Sequence, residues 1–113
     1  MQALQLMNDM QQVEAARVLA QRMLTEGGAE PAARITFAFR TVLARKPEHS
    51  ELAILQQQLA SHIIRFQQDA DSAKKLVAVG ESKADPKVDP VQLAAHTLVA
   101  STLLNLDETV SRN

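Results

Sequence analysis

Residues 89–106 read Asp-Pro-Val-Gln-Leu-Ala-Ala-His-Thr-Leu-Val-Ala-Ser-Thr-Leu-Leu-Asn-Leu, and this stretch decides the fold. Asp89 is a good N-cap, Pro90 suits a first helical position because its missing N–H would have been unpaired anyway, and Gln92 completes a capping-box spacing. Three start signals thus agree within four residues. Beyond them Leu93, Leu98, Val99, Leu103, Leu104 and Leu106 spread around most of a helical circumference, and no charge intervenes before Asp107. A helix that is apolar nearly all round is buried nearly all round. Thr97, Ser101 and Thr102 can return their hydroxyls to carbonyls of the preceding turn, which removes much of the cost of hiding them. The expectation is a central helix with the other helices closed around it. Each large aliphatic fully buried there contributes about 1.5–3 kcal/mol before entropy is counted.

Working outward from this axis, the rest of the chain carries the same helical grammar. Punctuation falls at Gly27-Gly28, Pro31, Pro47, Gly80, Pro86 and Pro90, and between these marks apolar residues recur at helical spacing without clean strand alternation. Asp9 and Gln12 frame a helix start, preceded by Ala3, Leu4, Leu6 and Met7 as a short stapling turn. Val13, Ala16, Ala20, Met23 and Leu24 form the inner face, with Glu14, Arg17 and Gln21 placed opposite, and Gly27-Gly28 supplies a left-handed stop. Pro31 opens a second helix with Ile35, Ala38, Phe39 and Val42 inward, Phe37 and Leu43 flanking, and Arg34, Thr41 and Arg45 on the wet side. A third begins near Glu48 with the stripe Leu52, Leu55, Leu59, Ile63 and Phe66. Asp69 or Asp71 caps a shorter fourth helix ending at Gly80, and Glu81 to Val88 reads as a loop. The fold class expected is all-α: an irregular bundle of four to five helices around an apolar C-terminal helix, in one domain spanning residues 1–113.

Composition removes many functions. In 113 residues there is no Cys, which excludes disulfide scaffolds, thiolate metal sites, a cysteine nucleophile and covalent haem attachment. Twelve Lys+Arg against 13 Asp+Glu leave a net charge of −1, with no general pull toward nucleic acid or anionic lipid. Aromatics make up 3%, too few to stack bases, and Arg34, Arg40, Arg45 and Lys46 read as a solvated face. Pro90 to Leu106, the longest uncharged stretch, falls short of the roughly 20 apolar residues of a membrane span, and residues 1–10 do not read as a signal peptide.

The polar residues offer little chemistry. His49, His62 and His96 show no i, i+4 clamp, His49 is expected in solvent, and His62 at the edge of its stripe. Three glycines cannot make a phosphate cradle, and no serine elbow is present. Asp69/Asp71, Asp85/Asp89 and Asp107/Glu108 are explained as caps or solvated ends. No catalytic, cofactor or metal residue is therefore assigned. The one candidate pocket would form where His96, or the turn of Asn105, Asp107 and Glu108, meets Asn8 and Asp9. Each of these is equally at home as a helix-end or core residue.

Five stretches carry a resemblance: Met1-Gln-Ala-Leu-Gln-Leu-Met-Asn-Asp9, Val13-Glu-Ala-Ala-Arg17, Ala38-Phe-Arg40 ahead of a Pro-containing turn, Val79-Gly-Glu81, and Leu103-Leu-Asn-Leu-Asp-Glu108. In this order they resemble the C-terminal segment of the Planctomycete-specific PSD domain, a domain of unknown function, over essentially the whole chain. The resemblance implies a parent that is large, exported and bacterial, often with a cytochrome-c-like domain. Family members carry Pro where Met10 stands and an aromatic residue where His96 stands, which favours a packing role for His96. It further implies that Met1 begins partway through the family's domain, so the chain is expected to be a fragment or shortened product. No haem role carries over, because no haem-binding motif is present. The reading is a non-catalytic helical structural or interaction module, its partner being a missing upstream domain or a second copy over Leu4, Leu6, Met7 and Met10. The alternative is an accessory part of an extracellular polymer-degrading or redox assembly.

Overall fold

A computed structural model describes residues 10–79 and 87–111, with side chains described for 11–79 and 87–107. Five helices follow one another: α1 (Met10–Glu26), α2 (Pro31–Leu43), α3 (His49–Gln68), α4 (Ala70–Val77) and α5 (Pro90–Ser111), with no strand among the described residues. The fold is all-α, and α5 is its axis. It touches all four other helices and packs most extensively along α1.

The start of α5 follows from its sequence. The Asp89 carboxylate accepts from the Val91 N–H at 3.4 Å, and the Asp89 carbonyl accepts from the Leu93 N–H at 2.9 Å. From Leu93 to Leu103 every residue is buried except Leu98 and Thr102, which are half-buried. Thr97 and Thr102 behave as the pattern demands: Thr97 donates to the Leu93 carbonyl at 2.7 Å and Thr102 to the Leu98 carbonyl at 3.1 Å. The apolar girdle is shorter than expected. Leu104 is half-buried and Leu106 is 45% exposed, so the last turns emerge from the bundle.

The core gathered on this axis contains Ala16, Ala20 and Met23 of α1, Ile35 and Phe39 of α2, Leu55, Leu59 and Phe66 of α3, and Ala73 and Val77 of α4. One expectation for α1 is corrected. Arg17, placed on the outer face from sequence, is 1% exposed. It stands one helical turn beyond Val13, on the same side of the helix, so its stem packs inward while its guanidinium reaches Glu14 at 3.8 Å.

The connections are set by local chemistry. Gly28 adopts φ +99°, the left-handed stop expected there. A Cβ on Gly27 would meet the Met23 carbonyl oxygen at 2.5 Å and the Arg34 Cα at 3.0 Å, so α1 and α2 meet where only a hydrogen fits. Pro31 opens α2 as its first residue. Helix α2 closes at Ala44, which takes φ 62° so that its N–H reaches the Arg40 carbonyl at 3.0 Å. Glu48 and Glu51 form a reciprocal capping box at the start of α3. Asp69 caps α4 by accepting from the Ser72 N–H at 3.2 Å and its hydroxyl at 2.7 Å. Helix α4 ends at Val77; Gly80, most of the Glu81–Val88 loop, and the stapling turn before α1 lie outside the described residues.

Candidate functional site

The residues singled out from sequence fall at two places along α5. His96 lies in its buried middle; Asn105 and Asp107 lie near its end, where Glu108 continues the backbone. At about 1.5 Å of rise per residue, His96 and Asn105 stand roughly 13 Å apart along the axis. Asn8, Asp9 and the Glu108 side chain lie outside the described residues.

At the α5 end, Gln12 Nε2 donates to Asn105 Oδ1 at 2.5 Å, tying the first turn of α1 to the last turns of α5. Asp107 lines an open groove of about 580 Å³ between α1, α2 and α5, together with Glu14, Val18, Arg22, Val42 and Leu104. Val18 is 46% exposed there, an aliphatic left on an outer lane of α1. Sequence reading missed this groove, although Val18 standing among Gln11, Glu14 and Arg22 was a visible signal.

His96 is fully buried. Its Nδ1 lies 2.7 Å from the Gln92 carbonyl oxygen, and since a carbonyl only accepts, Nδ1 carries the proton. Nε2 is then a lone-pair acceptor, buried and without a hydrogen-bond partner among the described residues. Burial lowers the imidazole's pKa below its ordinary value; the Gln92 bond opposes this, and the Arg34 cation adds to it. His96 is thus neutral at pH 7. It lines neither the groove above nor the second one, of about 680 Å³, along α2. His62, half-buried at the edge of its stripe, is lowered by burial and by Arg65, and His49 is exposed.

Two of the cations of α2 and its turn, Arg34 and Arg45, are engaged within the chain. Arg45 clasps Glu51 through two bonds of 3.0 Å, and its guanidinium lies 4.8 Å from the Phe39 ring centroid. The clasp, aided by the Glu48 N–H, holds Glu51 down to about 2. Arg34 Nε donates to the Gly28 carbonyl at 2.9 Å, so that residue serves the α1–α2 junction. Among the described residues no three His, Asp or Glu side chains come together to hold a metal ion, and no helix is long and apolar enough to cross a membrane.

No curated protein and no solved structure matches this chain. A family model does: PSD1, described as a protein of unknown function (DUF1553), over residues 1–59. The matched part takes in α1, α2 and the first half of α3, and contains three of the five resembling stretches. Val79-Gly-Glu81 and Leu103–Glu108 fall beyond it, so the match is shorter than the whole-chain resemblance expected. With more than half of its length matched, the chain belongs to the PSD1 family.

Proposed function

We propose that the chain is a non-catalytic helical structural and interaction module within a larger exported bacterial protein. The observation that supports this reading is where its polar groups are directed. The described hydroxyl bonds on α5 and the buried imidazole bond end on carbonyls one turn back in the same helix: Thr97 on Leu93, Thr102 on Leu98 and His96 on Gln92. Such bonds rigidify a core and present nothing to a substrate. Open apolar surface lies instead on the outside, in the groove beside Val18. The alternative, an accessory part of a polymer-degrading or redox assembly, would use either His96 or the turn of Asn105, Asp107 and Glu108, and the complete burial of His96 speaks against the first of these.

Replacing His96 with Phe in the larger protein tests the reading. Folding and any hydrolytic or redox activity of that protein are expected to survive together. Loss of activity with the helical signal and unfolding midpoint intact would overturn it.

A further inference from the structure

One lane of α1 faces outward. Gln11, Ala15, Val18 and Arg22 recur at i, i+4, i+7 and i+11, and all four are exposed. This lane borders the groove whose apolar lining includes Leu19, Val42 and Leu104. The charges around it are divided. Glu14 stands four residues before Val18 and Arg22 four residues after it. Asp107, two residues beyond the Asn105 that bonds Gln12, adds a second carboxylate at the Glu14 end.

We propose that the groove seats a second copy of this chain, α1 against α1 in antiparallel sense, about a two-fold axis passing beside Val18. The proposal rests on the reading of the chain as an interaction module and names its partner. An isologous contact needs a surface complementary to itself. Here a half-turn about Val18 brings Arg22 of each copy over Glu14 and Asp107 of the other, and sets Val18 against Val18. A parallel arrangement would set Arg22 on Arg22 and Glu14 on Glu14. The antiparallel sense is therefore selected by charge. Arg22 also keeps Glu26 at 3.2 Å with its guanidinium over Phe37 at 5.3 Å, and Glu14 keeps Arg17 at 3.8 Å. The carboxylates of the other copy thus add to pairs already made, and charge selects the orientation more than it adds strength. Ala15 offers no bulk against close approach, and a net charge of −1 gives little repulsion between copies. A contact confined to one lane of α1 and the groove beside it is expected at the small end of specific interfaces, below about 1,200 Å², so the dimer is weak and sensitive to salt.

The absence of cysteine makes the test clean. Val18→Cys places one thiol per copy beside the axis, whereas Ile54→Cys and Ile64→Cys lie on α3 at comparable exposures of 55% and 56%. In the full chain at low salt, Val18→Cys is expected to form its disulfide dimer at least about tenfold faster than either control, through the raised effective concentration. Without added cysteine, sedimentation equilibrium should show a dimer that Arg22→Glu weakens and that Asp107→Arg added to Arg22→Glu recovers. Equal cross-linking at the three positions, or self-association indifferent to Arg22→Glu, would overturn the proposal. Neither result touches the module reading, which fails on the His96→Phe activity measurement instead.

Discussion

Lowering the pH from 7.5 to 5.5 should destabilise this protein through His96. In the unfolded chain the imidazole titrates near 6.5. In the folded state its pKa is lowered, first by burial and further by Arg34. Between the two values the unfolded state binds more protons than the folded one. Stability therefore falls as pH drops through 6.5 and levels off once the folded-state pKa is passed. A histidine that stayed neutral in the fold throughout would cost about 1.4 kcal/mol between pH 7.5 and 5.5, the upper limit for one site. With a urea slope of about 1–3 kcal/mol/M, the midpoint falls by up to roughly 0.5–1.4 M. His62 is lowered too and adds in the same direction, so the comparison is with His96→Phe. That variant removes a buried lone pair that lacks a partner, worth about 1–3 kcal/mol, but loses the Gln92 bond and inserts a larger ring. These terms oppose one another at pH 7.5; the pH dependence they leave does not. Urea titrations at pH 7.5, 6.5 and 5.5 should show a clearly flatter slope in His96→Phe, the remainder vanishing on adding His62→Asn. An unchanged slope in His96→Phe would refute the reasoning.

Further outcomes follow from particular contacts. Leu103→Ala, at a fully buried point of the axis, should cost about 2–5 kcal/mol in urea unfolding, whereas Leu106→Ala on the emerging turn should change stability by well under half as much. Gly27→Ala should cost about 1–3 kcal/mol because the new methyl meets backbone on both sides; a neutral result would mean that α1 and α2 are not so closely joined. Ala44→Gly should raise the unfolding midpoint, since glycine relieves a left-handed conformation costing about 1–2 kcal/mol. Arg45→Lys should break the two-pronged clasp and let Glu51 titrate well above 2 in a carboxyl-carbon NMR titration. The stabilisation tied to that clasp is present above the ordinary glutamate pKa and is lost as pH falls toward 2.

What could be read from the chain was whatever is decided within a turn or two of the residue concerned. The Asp89-Pro90 start of α5, the Pro31 start of α2 and the Gly28 stop are local, and each lies where its chemistry put it. The end of α2 was anticipated from Pro47, but the backbone turns earlier, at Ala44, because an αL residue can close the helix without a proline. Arg17 shows a different limit. Its position one turn after Val13 made burial visible in the helical geometry, and only its charge argued otherwise; a long aliphatic stem and a carboxylate on the preceding turn resolve the conflict. Leu106 went the other way, because a girdle of leucines does not say how far along it the neighbouring helices extend. The groove beside Val18 depends on three helices meeting, and no single stretch of sequence records that meeting. Of the candidate pocket, sequence supplied His96, the α5 end and, through the single helix joining them, their separation of roughly 13 Å, but not how completely the neighbouring helices bury His96.

That same geometry bears on what the family match means. The match ends at Leu59, midway through α3, yet the matched helices pack more extensively on α5 than on one another. Val13, Ala16, Ala20 and Met23 are sealed along α1, whose most extensive neighbour is α5; Ile35 and Phe39 belong to the same cluster as Leu93, Val99 and Leu103. Removing the axis would uncover the apolar stripe of α1 and much of the cluster that α2 and α3 share with it. The matched half therefore carries the outer wall of the bundle, and the part beyond it carries the post. A wall can keep its stripes while the post varies, provided the post stays apolar and of similar girth, because large buried side chains tolerate exchange when volume is kept. His96, neutral and bonded to its own helix, satisfies that condition in a slot where the resemblance implies an aromatic ring.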